Sequence, residues 1–81
     1  MAKGFKVTVK SDNDNNINVK ISPQVVAKNE ERKSEIAETL QEIIVKYGNL
    51  ENNLPNRKAL KDEMTSALTE LYDKGMIEPK N

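Results

Sequence analysis

A run of oxygen-bearing side chains near the N-terminus is the first stretch whose residue types could do chemistry. Residues 12–16 read Asp-Asn-Asp-Asn-Asn, and calcium loops supply carboxylate and amide oxygens at alternate positions. An EF-hand loop beginning at Asp12 would need Gly and Glu where this chain has Ile17 and Pro23. We therefore interpret the run as a hairpin turn, because Asp and Asn bond their own backbone and tolerate positive φ.

Three glutamates, Glu35, Glu38 and Glu42, are spaced to lie on one side of a helix. General acid–base catalysis needs a carboxyl group in a desolvated cleft that shifts its pKa, whereas these side chains fall opposite an apolar stripe and should be solvated. The chain has no Cys and no His, which excludes a thiol nucleophile, an imidazole base, disulfides and a His/Cys zinc site. We predict a protein that is not an enzyme and binds no cofactor or metal.

Charge is balanced overall but unevenly spread. The 81 residues hold 13 Lys plus Arg and 13 Asp plus Glu. Residues 1–28 carry five Lys against two Asp, a net charge of +3, and residues 29–54 carry three basic residues against six Glu, a net charge of −3. No segment resembles a membrane span or the apolar part of a secretion signal. We expect a cytoplasmic protein without a membrane partner.

Two segments, residues 5–10 and 17–22, alternate apolar and polar side chains, which predicts two strands with one buried face each. With the turn between them they form an antiparallel hairpin over about residues 4–22. Pairing Val9 with Ile17 would place all apolar side chains of both strands on one face.

The opposite face of this hairpin is basic and polar. Its lysines could neutralise phosphates, and its Thr and Asn could reach base edges, as in two-stranded ribbons that enter a DNA groove. Lysine on an exposed strand also protects the edge from aggregation. The candidate nucleic-acid face consists of Lys6, Thr8, Lys10, Asn18 and Lys20.

A first amphipathic helix is predicted over about residues 30–47. Its start is open between Ser22, which could cap a helix with Pro23 in its first turn, and Asn29, followed by two glutamates. We prefer the later start, because residues 28–35 hold no apolar side chain. The apolar stripe is Ile36, Leu40, Ile43, Ile44 and Tyr47, and the candidate partner-binding acidic face behind it is Glu31, Glu35, Glu38 and Glu42.

The segments around this helix carry further predictions. Val25 and Val26 should form an apolar plug beneath it, and Gly48 should end it as a left-handed residue. In the loop that follows, Leu50 and Leu54 should point inward.

A second amphipathic helix is predicted over about residues 56–74, capped by Asn56. Gly75 should end it in a Schellman motif, with Met76 next in the chain, and residues 78–81 should fray. Its stripe is Leu60, Met64, Ala67, Leu68 and Leu71.

Two short segments resemble parts of DNA-binding folds. Residues 32–40, Arg-Lys-Ser-Glu-Ile-Ala-Glu-Thr-Leu, after the strand at 18–21, look like the strand and second helix of ribbon-helix-helix repressors. Residues 66–78, Ser-Ala-Leu-Thr-Glu-Leu-Tyr-Asp-Lys-Gly-Met-Ile-Glu, are similar to the recognition helix and exit of winged-helix domains. Each resemblance covers a small part of the chain, so we assign no family.

These elements predict a single α+β domain of order ββαα, in which two antiparallel helices cover the apolar face of the hairpin. Because an isolated two-stranded sheet is marginal, two hairpins could also combine into a four-stranded sheet in a homodimer. We expect a small interaction or regulatory protein that binds a protein partner through its acidic face. The alternative is DNA or RNA binding through the hairpin or the second helix.

Overall fold

The computed structural model describes residues 5–80, which form two small sheets and two helices. The α+β class is therefore confirmed. Residue 4, where the predicted hairpin begins, and residue 81, where the predicted tail ends, lie outside the described residues. The order differs from ββαα because a third and a fourth strand bracket the helices. The elements are β1 (Lys6–Ser11), β2 (Ile17–Ser22), β3 (Val25–Ala27), a 3-10 turn (Glu30–Arg32), α1 (Lys33–Gly48), α2 (Leu54–Asp73) and β4 (Ile77–Pro79).

The hairpin β1–β2 is antiparallel, as predicted, but its register differs by two residues. Val9 pairs with Val19, and Ile17 pairs with Ser11. The turn is shorter than expected because the Asp12 N–H donates to the Asn16 carbonyl at 3.0 Å. A shift of two residues preserves which face each side chain occupies, so the apolar and basic faces remain as predicted.

The turn itself is held by the carboxylate of Asp12. Its Oδ1 accepts hydrogen bonds from the N–H groups of Asp14 and Asn16, both at 2.9 Å. The Asn16 bond is the main reason that the pKa of Asp12 lies below its usual value. Asn15 adopts the left-handed region with φ of 66°, and its carbonyl accepts from the Asn52 side chain at 2.9 Å. The turn is therefore fastened to the loop between the helices.

A second two-stranded sheet replaces two predicted irregular segments. β3 pairs antiparallel with β4, with Val25 opposite Pro79 and Ala27 opposite Ile77. Val25 packs against the core, as the predicted plug should, but it does so within a strand. The prediction that residues 78–81 fray was wrong for the described residues of that tail. The chain can return to β3 because Gly75, with φ of +74°, turns it back at the end of α2.

The predicted Schellman motif ends α2. The N–H of Met76 donates to the Leu71 carbonyl and that of Gly75 to the Tyr72 carbonyl, both at 3.0 Å. Gly48, in contrast, does not adopt a positive φ, so its predicted left-handed conformation was wrong. The residue after it, Asn49, stays right-handed, and its N–H completes the last turn of α1.

The helix starts are set by asparagines. Asn29 Oδ1 accepts from the Glu31 N–H at 2.9 Å, which confirms the later start at a 3-10 turn that leads into α1. α2 begins at Leu54, two residues before the predicted start. Asn53 caps it by accepting from the Asn56 N–H at 2.9 Å, so Asn56 receives the cap instead of providing it.

The second helix, α2, lies at the centre of the fold. Its Leu60 and Met64 are fully buried and Leu68 is 1% exposed, and the helix packs against β1, α1 and β4. Both helices show an amphipathic stripe, but only that of α2 is enclosed on several sides. The buried core cluster comprises Val7, Ile36, Met64, Leu68 and Ile77.

A polar contact joins the two helices beside this core. The Tyr47 hydroxyl donates to Glu63 Oε2, and Lys46 Nζ lies 3.2 Å from the same oxygen. The bond to Glu63 raises the pKa of Tyr47. The same bond, and then the Lys46 ammonium, hold the pKa of Glu63 below its usual 4.5.

This contact predicts a pH-dependent stability. A carboxylate whose pKa is lowered by folding stabilises the fold above its unfolded pKa, and this stabilisation is lost as pH falls through its folded pKa. Wild-type protein should therefore be more stable than Glu63→Gln at neutral pH, and the difference should shrink below pH 4.5. Urea unfolding at several pH values measures this, with Glu38→Gln as an exposed control. A difference that stayed constant with pH would contradict the assigned role of Glu63.

Candidate binding faces

The structure brings the five residues of the candidate nucleic-acid face together on the outer side of β1–β2. Thr8 lies opposite Lys20, and Lys10 lies opposite Asn18. The lysines project on this side because strand side chains alternate and the other side carries the core valines. All five side chains line one shallow concavity of about 410 Å³, which Val19 and Ser22 complete: Lys6, Thr8, Lys10, Asn18 and Lys20.

The candidate nucleic-acid face, called the basic ribbon from here on, carries positive charge that is largely uncompensated. Lys6, Lys10 and Lys20 are exposed and form no salt bridge within residues 5–80. At the turn end of the ribbon, the Asn18 amide donates to the Asp12 carboxylate over 3.4 Å. Three ammonium groups on a concave strand pair can attract phosphates, whereas Asn18 is partly engaged by the turn.

The four glutamates of the acidic face are also exposed. Glu35, Glu38 and Glu42 lie within about 60° of one another around α1, opposite its apolar stripe. Glu31 precedes them in the 3-10 turn. Glu35 pairs with Arg32 at 3.3 Å, and the other three carboxylates form no ion pair among the described residues.

One exposed apolar side chain, Val45, adjoins this acidic face, and two more, Leu50 and Leu54, lie after the end of α1; sequence reasoning missed all three. Val45 is 49% exposed and follows Glu42 by three positions, so it shares that side of α1. Leu50 and Leu54 are 47% and 61% exposed, so the prediction that they point inward was wrong. The exposure of Val45 could have been predicted from the sequence, because this residue falls outside the apolar stripe of the helix. Leu50 and Leu54 carried no such signal, because the segment between the two predicted helices has no period.

Within residues 5–80, no three acidic side chains gather closely enough to hold a metal ion. The described part of the chain also has no helix long and apolar enough to cross a membrane.

Comparison with known proteins leaves these faces as the basis for assigning a role. No family model, no curated protein and no solved structure matches the chain. The fold is that of a small α+β protein with two two-stranded sheets. Its function must be argued from the chemistry of its surfaces.

Proposed function

We propose that this protein is a small, non-enzymatic interaction or regulatory protein that binds a protein partner through the acidic face of α1. The observation that carries the proposal is that an exposed apolar side chain, Val45, lies next to exposed carboxylates on α1. Glu38 and Glu42 lie beside the half-exposed Val45 on one side of the helix. A surface of this kind suits a partner that presents basic groups around an apolar centre, since interfaces have an apolar core and a polar rim.

The burial of the opposite stripe supports this choice of surface. Ile36 and Tyr47 are buried and α1 packs against α2, so the apolar side of α1 is occupied within the chain. The carboxylates have no comparable internal role. Of the four, only Glu35 is paired within residues 5–80, and its ion pair with Arg32 is exposed and therefore weak.

Charge reversal tests this proposal. The variant with Glu35→Lys, Glu38→Lys and Glu42→Lys should capture at least about tenfold less partner from the native cell, because like charges would then face the basic partner. A control with Asp62→Lys, Glu70→Lys and Asp73→Lys makes the same change in net charge on exposed positions of α2. Unchanged capture by the first variant would exclude the acidic face.

Nucleic-acid binding through the basic ribbon is the second candidate. The observation in its favour is that all five side chains chosen from the sequence line one concavity. Three phosphate contacts would give a slope of about −2.7 for the logarithm of the binding constant against the logarithm of salt concentration on duplex DNA.

A gel shift with random-sequence duplex DNA and with single-stranded RNA tests this second candidate. The variant with Lys6→Glu, Lys10→Glu and Lys20→Glu should lose binding, whereas the control with Lys58→Glu, Lys61→Glu and Lys80→Glu should retain it. Because Lys58 and Lys61 lie on α2, the reverse result would instead identify the second helix as the surface. Absence of a shift with wild-type protein at low salt would exclude this class of function.

A further inference from the structure

The second sheet leaves one edge of β3 with unused backbone groups. The Lys80 N–H donates to the Gln24 carbonyl at 2.9 Å, and the Lys28 N–H donates to the Met76 carbonyl at 3.0 Å. Because bonded pairs alternate along an antiparallel ladder, the N–H and C=O groups of Val25 and Ala27 point away from β4. No hydrogen bond among residues 5–80 engages these four groups.

This edge also lacks the features that normally prevent strands from pairing between molecules. β1 and β2 carry lysines, and the outward edge of β4 carries Pro79, which has no N–H to offer. β3 reads Val-Val-Ala, without a charge or a proline. Of the four strands in the described part of the chain, β3 alone has an unprotected edge.

We propose that β3 pairs antiparallel with β3 of a second copy of this chain, which would join two two-stranded sheets into one sheet of four strands. The pairing is self-complementary. A twofold axis at Val26 places Val25 of each copy opposite Ala27 of the other, and each of these two pairs exchanges two hydrogen bonds. All four outward groups of both copies are thereby satisfied. Gln24 falls opposite Lys28, so no like charges face each other.

The surroundings of β3 allow a second strand to approach. Its three residues are half-buried rather than enclosed. A concavity of about 660 Å³ runs along both strands of this sheet, lined by residues 24–27 and 78–80 and bordered by Glu30 and Lys33 at the start of the helical segment. Two strands of three residues each are marginal as a separate sheet, and doubling the number of strands strengthens them. The edge of β3 is separate from the basic ribbon on β1–β2 and from Glu35, Glu38 and Glu42 on α1, whereas Glu31 lies in the 3-10 turn next to Glu30.

Sedimentation of the full chain between about 10 µM and about 1 mM tests the proposal. Wild-type protein should approach twice the 9.2 kDa mass of one chain. Ala27→Pro removes an outward N–H without touching the bonds to β4, so it should sediment as a monomer throughout. Val26→Lys should also be monomeric at low salt and dimerise more as salt rises, because two lysines would face each other across the axis. Thr69→Lys, which introduces the same residue at an exposed position of α2, should leave the mass unchanged.

Hydrogen exchange locates the contact independently of any variant. The amides of Val25 and Ala27 should exchange more slowly as concentration rises. The Val26 amide, which is bonded to β4, is an internal reference that should change less. A wild-type monomer at about 1 mM would overturn the proposal. A dimer in which the Val25 and Ala27 amides stay unprotected would also overturn it, because the two copies would then associate through another surface. The edge of β3 would in that case be left for an extended peptide of a different protein.

Discussion

Replacing Leu68 with Ala should lower the free energy of unfolding by about 2–5 kcal/mol, the cost of deleting a buried leucine together with the cavity it leaves. Leu68 is 1% exposed and packs within the cluster that joins β1, α1 and β4 to α2. A domain of this size is stabilised by only about 4–12 kcal/mol, so the substitution would remove a large part of its stability.

The matched control for this substitution lies on the same helix. Leu54 is 61% exposed, so Leu54→Ala should change the stability by no more than about 0.5 kcal/mol. Urea unfolding of both variants, followed by circular dichroism, gives the comparison. Equal effects at the two leucines would contradict the central position of α2.

Exchanging each helix-terminal glycine for alanine should produce effects of opposite sign. Gly75 has φ of +74°, a conformation that costs an L-residue about 1–2 kcal/mol, so Gly75→Ala should destabilise by about that amount. Gly48 lies at the helical end of α1 without a positive φ. There, alanine should stabilise by up to about 1 kcal/mol, because it restricts the unfolded chain.

Steric clashes cannot explain a difference in stability between Gly48→Ala and Gly75→Ala. A Cβ atom built on either one meets nothing within 4 Å, so the backbone conformation alone decides the sign. Thermal unfolding of the two variants measures it. A destabilised Gly48→Ala or an unaffected Gly75→Ala would contradict the helix ends described above. Because the Gly75 turn leads into β4, its variant should also weaken the β3–β4 pairing.

The hairpin and its two faces could be predicted from the sequence because alternation with a period of two is a local signal. Its register could not be predicted, since residues 12–16 allow more than one turn length, and the Asp12 bonds select the shorter one. The resulting shift of two residues left both faces unchanged. For this reason Lys6, Thr8, Lys10, Asn18 and Lys20 share one face, as alternation predicts, even though the pairing differs.

The second sheet could not be predicted because its strands are three residues long and far apart in the chain. A segment such as Val-Val-Ala has no measurable period, and its partner at Ile77–Pro79 becomes available only through the turn at Gly75. For a related reason, the sequence could not show which of the two helices lies at the centre of the fold. Their stripes look alike in sequence, and only the packing shows that Leu60, Met64 and Leu68 lie at the centre.

Helical spacing predicts that Glu35, Glu38 and Glu42 share one side of α1, and they do. The exposed leucines did not follow in the same way. Leu50 was expected to point inward, but it is 47% exposed. Its loop is held by the side chains of Asn52, which donates to the Asn15 carbonyl, and Asn53, which accepts from the Asn56 N–H.

Site-specific photocrosslinking in the native cell tests the proposed acidic binding face most directly. A photoreactive residue would replace Glu38 on the acidic face, Lys20 on the basic ribbon, or Ser66 as an exposed control on α2. We expect discrete protein adducts from position 38 that disappear when Glu35 and Glu42 are changed to Lys. If position 38 formed no more adduct than position 66, or if position 20 alone formed adducts to nucleic acid, the acidic face of α1 would not be the functional surface.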